Sequence, residues 1–425
     1  MSQPLYDRAV EILARNDLGY YTVPTHGLYP FQWNWDSALS ALGQSYVNEA
    51  RAWTEIETLF VHQWPDGMVP HIIFHKEDDG YFPGPAVWDT GRAVPTSGIT
   101  QPPVTGFAVR KLYERARDQP MARARAQTLL PKIHAWHDWF FATRDPERTG
   151  LVAIIHPWES GRDNSADWNA ALSRVPTEDL DTSHRRDILH ANPSHRPTNE
   201  QYQRYFWLVK HFRSLGWDTA RLHDGSPFRV VDPGFNAILL RSCSDLAWLA
   251  KELGETEIAA TAKTQAEKGL AAMDGLWSAL HQQYLCYDRV LDAPIPCLTV
   301  GGLLPIFAGI SPERSTQIAA RLSALAERTT FMIPSHDPNT PEYDGERYWL
   351  GPTWLIVNYM IADGLTRDGH IDIAARIVTD SMKLIVESGF SEYYDPMTGA
   401  PCGGPHFTWT AAMVIEFLKQ TGSVT

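Results

Sequence analysis

Three short stretches set carboxylates beside turn formers and large rings. HPWESGRDNSADW, residues 156–168, carries Glu159 and Asp163 four apart with Gly161 between them. GFSEYYDPMTGAP carries Glu392 ahead of two tyrosines and an Asp-Pro turn. YPFQWNWDSA, residues 29–38, carries Asp36 after Trp33 and Trp35 at a helix start. Hydrolysis of a glycosidic bond uses two carboxyl groups. One is protonated and donates to the leaving oxygen; in an inverting enzyme the other is ionised and activates water on the opposite face of the sugar. The donor needs a pKa raised by burial or by a neighbouring carboxylate. In the first stretch Gly161 permits a tight turn and close approach of a ligand. Asn164 and Ser165 suit the cap of a following helix. Arg162, paired with Glu159, would leave Asp163 facing a cleft. Each acid also has a plain structural reading: Asp163 as the N-cap of a helix near Ser165, Asp36 as a cap beside core aromatics, Glu392 in a surface loop.

Side chains that act together need rigid elements to hold them. Apolar residues recur at three-and-four spacing through most of the chain, which predicts about a dozen helices. Many come as hairpin pairs: 36–47 with 49–63, 102–118 with 121–145, 236–254 with 255–277, and 351–369 with 370–389. Stretches 198–217, 300–310, 311–328 and 406–421 add to them, with Gly, Pro or Asp at most breaks. Few segments alternate with a period of two. Residues 62–103 form a connection of about forty residues, rich in Pro, Gly and aromatics. Connections that long are functional or disordered, and the ring content argues against disorder. Helix pairs carrying such loops at one end fit a closed barrel with a cleft among the loops.

The bulk numbers narrow the classes. The chain has 425 residues, of which 44% are hydrophobic, and a formal charge of -13. An acidic chain is a poor match for nucleic acid or an anionic membrane surface. No run of eighteen apolar residues predicts a membrane span. The N-terminus reads as a helix, without the basic start and apolar block of a signal peptide. Four scattered cysteines form no CxxC pair, which fits free thiols in a reducing cytoplasm. Sixteen tryptophans suit a site lined with flat rings. His62, His71 and His75 have no metal-site spacing, and His184 and His195 lie in a polar loop. Neither a cofactor nor a catalytic metal is expected; a structural Ca2+ and a homo-oligomer stay open. There is no phosphate-cradling glycine loop and no GxSxG elbow.

FQWNWDSA, QWPDGMVPH, ESGRDNS and EYYDPMTG resemble the motifs of glycoside hydrolase family 63, above all its short bacterial members that hydrolyse mannosylglycerate or glucosylglycerate. The likeness runs from about residue 19 to 419. It implies an all-α fold: a single (α/α)6 barrel domain over 1–425, with 62–103 as its active-site loop region and without the N-terminal β domain of larger relatives. It also implies inversion, with Asp163 as general acid and Glu392 as general base. Asp36 would bind sugar hydroxyls, and Trp33, Trp35 and Trp158 would shape the glycone subsite. Tyr29, Gln63, Gly161 and Arg162 are further expected substrate contacts. A glycerate carboxylate needs a cation, and the arginine fork suits it. RPTNEQYQRY offers Arg196 and Arg204; the expectation falls on Arg204 together with Tyr202, against a basic solvated helix face. Tyr81 and Trp88, with Gln101 at the far end of the long loop, are expected to close over the ligand. Tyr348 and Trp349 are expected in its wall, where core packing explains Trp354 equally well. The reading is hydrolysis of a 2-O-α-glycosylglycerate. A trehalase-like activity, an epimerase on the same barrel using histidines, and a non-catalytic sugar-binding protein are the alternatives. Mannose and glucose differ only at the C2 hydroxyl, and the sequence chooses neither.

Overall fold

The computed structural model describes residues 2–78, 80–179 and 185–424, so His184 lies outside the described residues. Among these, twelve helices make two concentric rings. In chain order they are α1 (Ser2–Asn16), α2 (Asn34–Val47), α3 (Glu49–Val61), α4 (Thr105–Arg115), α5 (Gln119–Thr143) and α6 (Pro233–Leu253). Then follow α7 (Thr256–Met273), α8 (Pro305–Ala308), α9 (Pro312–Ala326), α10 (Leu355–Arg367), α11 (Ile371–Ser388) and α12 (Thr408–Gln420). Helices α2, α4, α6, α8, α10 and α12 each pack on the next, and α12 packs back on α2. That closes an inner ring. The other six sit outside it, each against its sequence neighbour, with α1 against α12. The arrangement is an (α/α)6 barrel.

Side-chain pattern assigns each helix to its ring. In α12 every residue from Thr408 to Leu418 is buried, as a helix enclosed on all sides requires. In α11 the buried positions are Ala374, Ile377, Asp380, Ser381, Leu384 and Ile385, a single stripe facing inward. The seam between α2 and α12 is tight: a Cβ on Gly43 would lie 2.5 Å from the Ala412 Cα.

The long connections run from an outer helix to the next inner one. They therefore gather over the N-terminal ends of the inner helices. There the backbone dipoles leave partial positive charge, favourable for anionic groups. Short antiparallel pieces brace them. Gln32 pairs with Ile73 and Trp33 with Ile72, and Ser391–Tyr394 forms a hairpin with Pro401–Pro405. Among the described residues no helix is long and apolar enough to cross a membrane.

Candidate active site

The ESGRDNS segment folds as a 3-10 turn, Pro157–Ser160, followed by a left-handed glycine. His156 starts it by accepting from the Trp158 N–H at 3.0 Å. Gly161 ends it at φ +70, where a Cβ would come within 2.6 Å of the Trp35 ring. Glu159 does not pair with Arg162. It takes the Arg144 guanidinium at 2.8 Å and the Ile155 N–H at 2.9 Å, pinning the turn from behind with both charges buried. Asp163 is not an N-cap: the short 3-10 turn that follows starts after Ser165, and no capping side chain bonds to it. Instead the Asp163 side chain faces a cavity. The Tyr205 hydroxyl donates to its carbonyl oxygen at 2.7 Å.

Glu392 reaches the same cavity from the Ser391–Tyr394 hairpin. The register slips there: Ser391 faces Pro405 while Tyr393 faces Cys402, so Gly403 and Gly404 both stand opposite Glu392. This bulge turns the Gly404 N–H onto Glu392 Oε2 at 3.0 Å. Tyr29 donates to Oε1 at 3.0 Å, and Arg196 donates to the Tyr29 oxygen at 2.7 Å. The Arg196 Nη1 lies 3.6 Å from Glu392 Oε2. Asp36, in the first turn of α2, is another cavity carboxyl, as is Asp187.

The environment separates these acids. Burial pushes the Asp163 carboxyl up to about 7; the Arg196 charge pulls it down, while Glu392 adds to the rise. Burial also raises Glu392, against the Arg196 charge, the Gly404 N–H and the Tyr29 hydroxyl, all of which favour its ionised form. Burial holds Asp36 well above the carboxylate range, with Glu392 and Asp163 adding repulsion. One carboxyl that keeps its proton near neutrality, beside another anchored by a cation and two donors, has what acid–base catalysis requires.

Of the residues singled out in the sequence, Tyr29, Trp33, Trp35, Asp36, Tyr81, Gln101, Trp158, Gly161, Asp163, Tyr202, Tyr348 and Glu392 line this one cavity. Five do not. Gln63 bonds to the Gly67 and Lys132 carbonyls, and so braces its own turn. Trp88 is fully buried behind Trp158, with its indole N–H on the Pro83 carbonyl. Trp349 is stacked flat on Trp354 at 4.0 Å in the packed layer behind Tyr348. Arg162 turns away to Asp167 and Asp232. Arg204 bonds to the carbonyls of Leu172, Ser173 and Val175 and to Glu200.

The cavity's cations are Arg186 and Arg196. The helix explains the correction. Residues two apart on a helix do not share a face, so Tyr202 and Arg204 could not both look into one cleft. Arg196 precedes Thr198, the N-cap of the helix Asn199–Ser214, and lies in the loop. Its guanidinium stacks 3.9 Å over the Tyr348 ring. Asp187, Phe407 and Trp409 also line the cavity and were not singled out; His71, considered only as a metal ligand, lines it too. The signal for Trp409 was its place two residues into a helix start, the same place Trp35 holds in α2.

A family model described as "Mannosylglycerate hydrolase MGH1-like glycoside hydrolase domain" matches residues 29–410. The chain belongs to that family. It is a glycoside hydrolase. A mannosylglycerate hydrolase of Thermus thermophilus is 47% identical over 97% of this chain and 100% of its own length. A glucosylglycerate hydrolase of Mycolicibacterium hassiacum is 32% identical over 97% of each chain. A crystal structure of a family 63 mannosylglycerate hydrolase from Thermus thermophilus, in complex with Tris and D-glycerate, superposes with a TM-score of 0.94. It is 47% identical and covers 98% of this chain and 100% of that one. The resemblance to glycoside hydrolase family 63 and the helical barrel are thereby established.

Proposed function

We propose that this enzyme hydrolyses a 2-O-α-glycosylglycerate, a mannosylglycerate or a glucosylglycerate, to free hexose and glycerate with inversion. In this mechanism Asp163 gives its proton to the glycosidic oxygen as the bond to the anomeric carbon breaks. Glu392 takes a proton from the water that attacks the opposite face of that carbon. Asp36 holds sugar hydroxyls, and Trp33, Trp35 and Trp158 wall the glycone. The observation that carries the glycerate reading is Arg196. It is a buried guanidinium on the cavity whose Nη1 makes no hydrogen bond to the protein. Its ion pairs with Glu392 at 3.6 Å and Asp187 at 3.5 Å leave that donor without a hydrogen bond, and a buried donor costs free energy until an acceptor meets it. A glycerate carboxylate supplies a charged acceptor for it, which a neutral disaccharide lacks. Hydrolases of both glycosylglycerates are named among the relatives. The cysteines, three of them buried and none in a disulfide, suit a reducing cytoplasm.

The test is a panel of α-mannosylglycerate, α-glucosylglycerate, trehalose and kojibiose, with the first-released anomer followed by NMR. Turnover of a glycosylglycerate with initial release of the β-anomer is expected. Preference for trehalose or kojibiose overturns the glycerate assignment, and initial α-anomer overturns inversion.

A further inference from the structure

The residue next to Asp163 is a buried arginine outside the cavity, and the reaction scheme leaves it unused. The Arg162 Nη1 donates to Asp167 Oδ2 at 2.8 Å, to Ser165 Oγ at 3.2 Å and to Thr299 Oγ1 at 3.2 Å. Its Nη2 donates to Asp232 Oδ1 at 2.9 Å. These partners are fixed points of the barrel. Asp232 is the N-cap of α6 and also accepts the Gly234 N–H at 2.9 Å. Thr299 heads the 3-10 turn Val300–Gly302 just before α8, and donates to Asp167 at 2.6 Å. The guanidinium lies against Gly301, where an added Cβ would come within 2.3 Å of Nη2. The Trp168 indole N–H donates to the Arg162 carbonyl at 2.7 Å. On the other side of the acid, Asn164 Oδ1 accepts the Trp349 N–H at 2.9 Å.

We propose that Arg162 is a positioning residue for Asp163, fastening the proton donor's backbone to the N-terminal starts of two inner-ring segments, α6 and the turn into α8. This rests on the assignment of Asp163 as proton donor. The role is geometric. Arg162 is engaged by two carboxylates on the far side of the loop, and the charged groups that act most on the Asp163 carboxyl include Arg196, Glu392 and Asp187. The glycine at 301 leaves space for the guanidinium plane and little more. Shortening or removing the guanidinium therefore frees the loop where the acid must stay within hydrogen-bond reach of the glycosidic oxygen. A displacement of about 1 Å costs on the order of 100-fold in rate.

The experiment compares two substrates that differ in their need for an acid. Glycerate leaves as an alkoxide and requires a proton. The fluoride of an α-glycosyl fluoride leaves as an anion without one, while water still adds and Glu392 still accepts its proton. In R162K and R162Q, kcat on the glycosylglycerate is expected to fall about 10- to 100-fold with little change in KM, and turnover of the fluoride far less. T299V, which removes one tether and keeps the arginine, shows a smaller fall with the same split and covers the case in which the arginine variants do not fold. D163N is the control and shows the split in full. Equal losses on both substrates in the R162 variants or in T299V, or wild-type kcat in a folded variant, overturn the positioning role while D163N leaves the acid assignment intact. Wild-type turnover of glycosylglycerate by D163N overturns the acid assignment and this proposal with it.

Discussion

At the scale of single residues, the proposed mechanism requires Asp163 and Glu392 to hold opposite protonation states at one pH. As the proposed acid, Asp163 must carry its proton, and burial puts its pKa at about 7, so activity should fall as pH rises through about 7. As the proposed base, Glu392 must be ionised, so activity should fall again as pH drops through its own pKa, which burial raises. The bell-shaped kcat/KM that follows reports the coupled pair in the free enzyme. A glycerate carboxylate titrates near about 3.5 and leaves this window undisturbed. With the α-glycosyl fluoride the alkaline fall should vanish and the acidic one remain. An acidic fall that vanishes instead would exchange the two roles. These acids were legible in the sequence because each stands beside a turn former and rings, a combination a buried core seldom needs. The arginine was not. Arg196 and Arg204 read alike in sequence, and only the N-cap at Thr198 decides that one is in a loop and the other on a helix flank.

At the scale of elements, periodicity revealed the long helices, and their ends moved by a few residues at most. The stretch 236–254 begins at Pro233, and 255–277 stops at Met273 before a 3-10 turn. Shorter pieces were less legible. The stretch 300–310, read as a helix, holds only the 4-residue α8, about one turn, after the 3-10 turn Val300–Gly302. The Glu392 hairpin has strands of 4 and 5 residues and a bulge that breaks alternation. Yet that hairpin sets Glu392, the proposed base. Gly403 has φ +71, and a Cβ there would come within 2.3 Å of Glu392 Oε2. G403A should cost about 1–3 kcal/mol through left-handed strain and lower kcat on both glycosylglycerate and glycosyl fluoride by on the order of 100-fold. G399A, at φ +75 in the turn of the same hairpin, meets Phe331 and Leu384 instead of Glu392. It should destabilise without that loss of kcat. Thermal melts and kcat measured side by side check both, and unchanged kcat in G403A would refute the bulge's role.

At the scale of the whole molecule, the ring brings distant parts of the chain into one site. Tyr29 and Glu392 bond across 363 positions, and Trp35 meets Trp409 edge-on at 5.9 Å. Both contacts depend on the seam where the last inner helix returns to the first. Asn16 ties it on one side, donating to Thr408 Oγ1 and the His406 carbonyl, both at 2.8 Å. The bare face of Gly43 against Ala412 sets the spacing on the other. Sequence periodicity showed that helices pair but not that α12 closes on α2, because no local signal links residues so far apart. The seam makes an unusual demand on Gly43. In mid-helix, alanine is worth about 1 kcal/mol more than glycine. The added methyl would meet the Ala412 backbone, which cannot rotate away, and overpacking of this kind costs about 1–3 kcal/mol. G43A should therefore lower the melting temperature by a few degrees despite the better helix former, and should lower kcat as the Tyr29–Glu392 contact opens. G275A, where a Cβ meets open space, should change neither. If G43A melts at or above the parent temperature, helix propensity outweighs the seam, and ring closure at α2 and α12 is looser than the geometry requires.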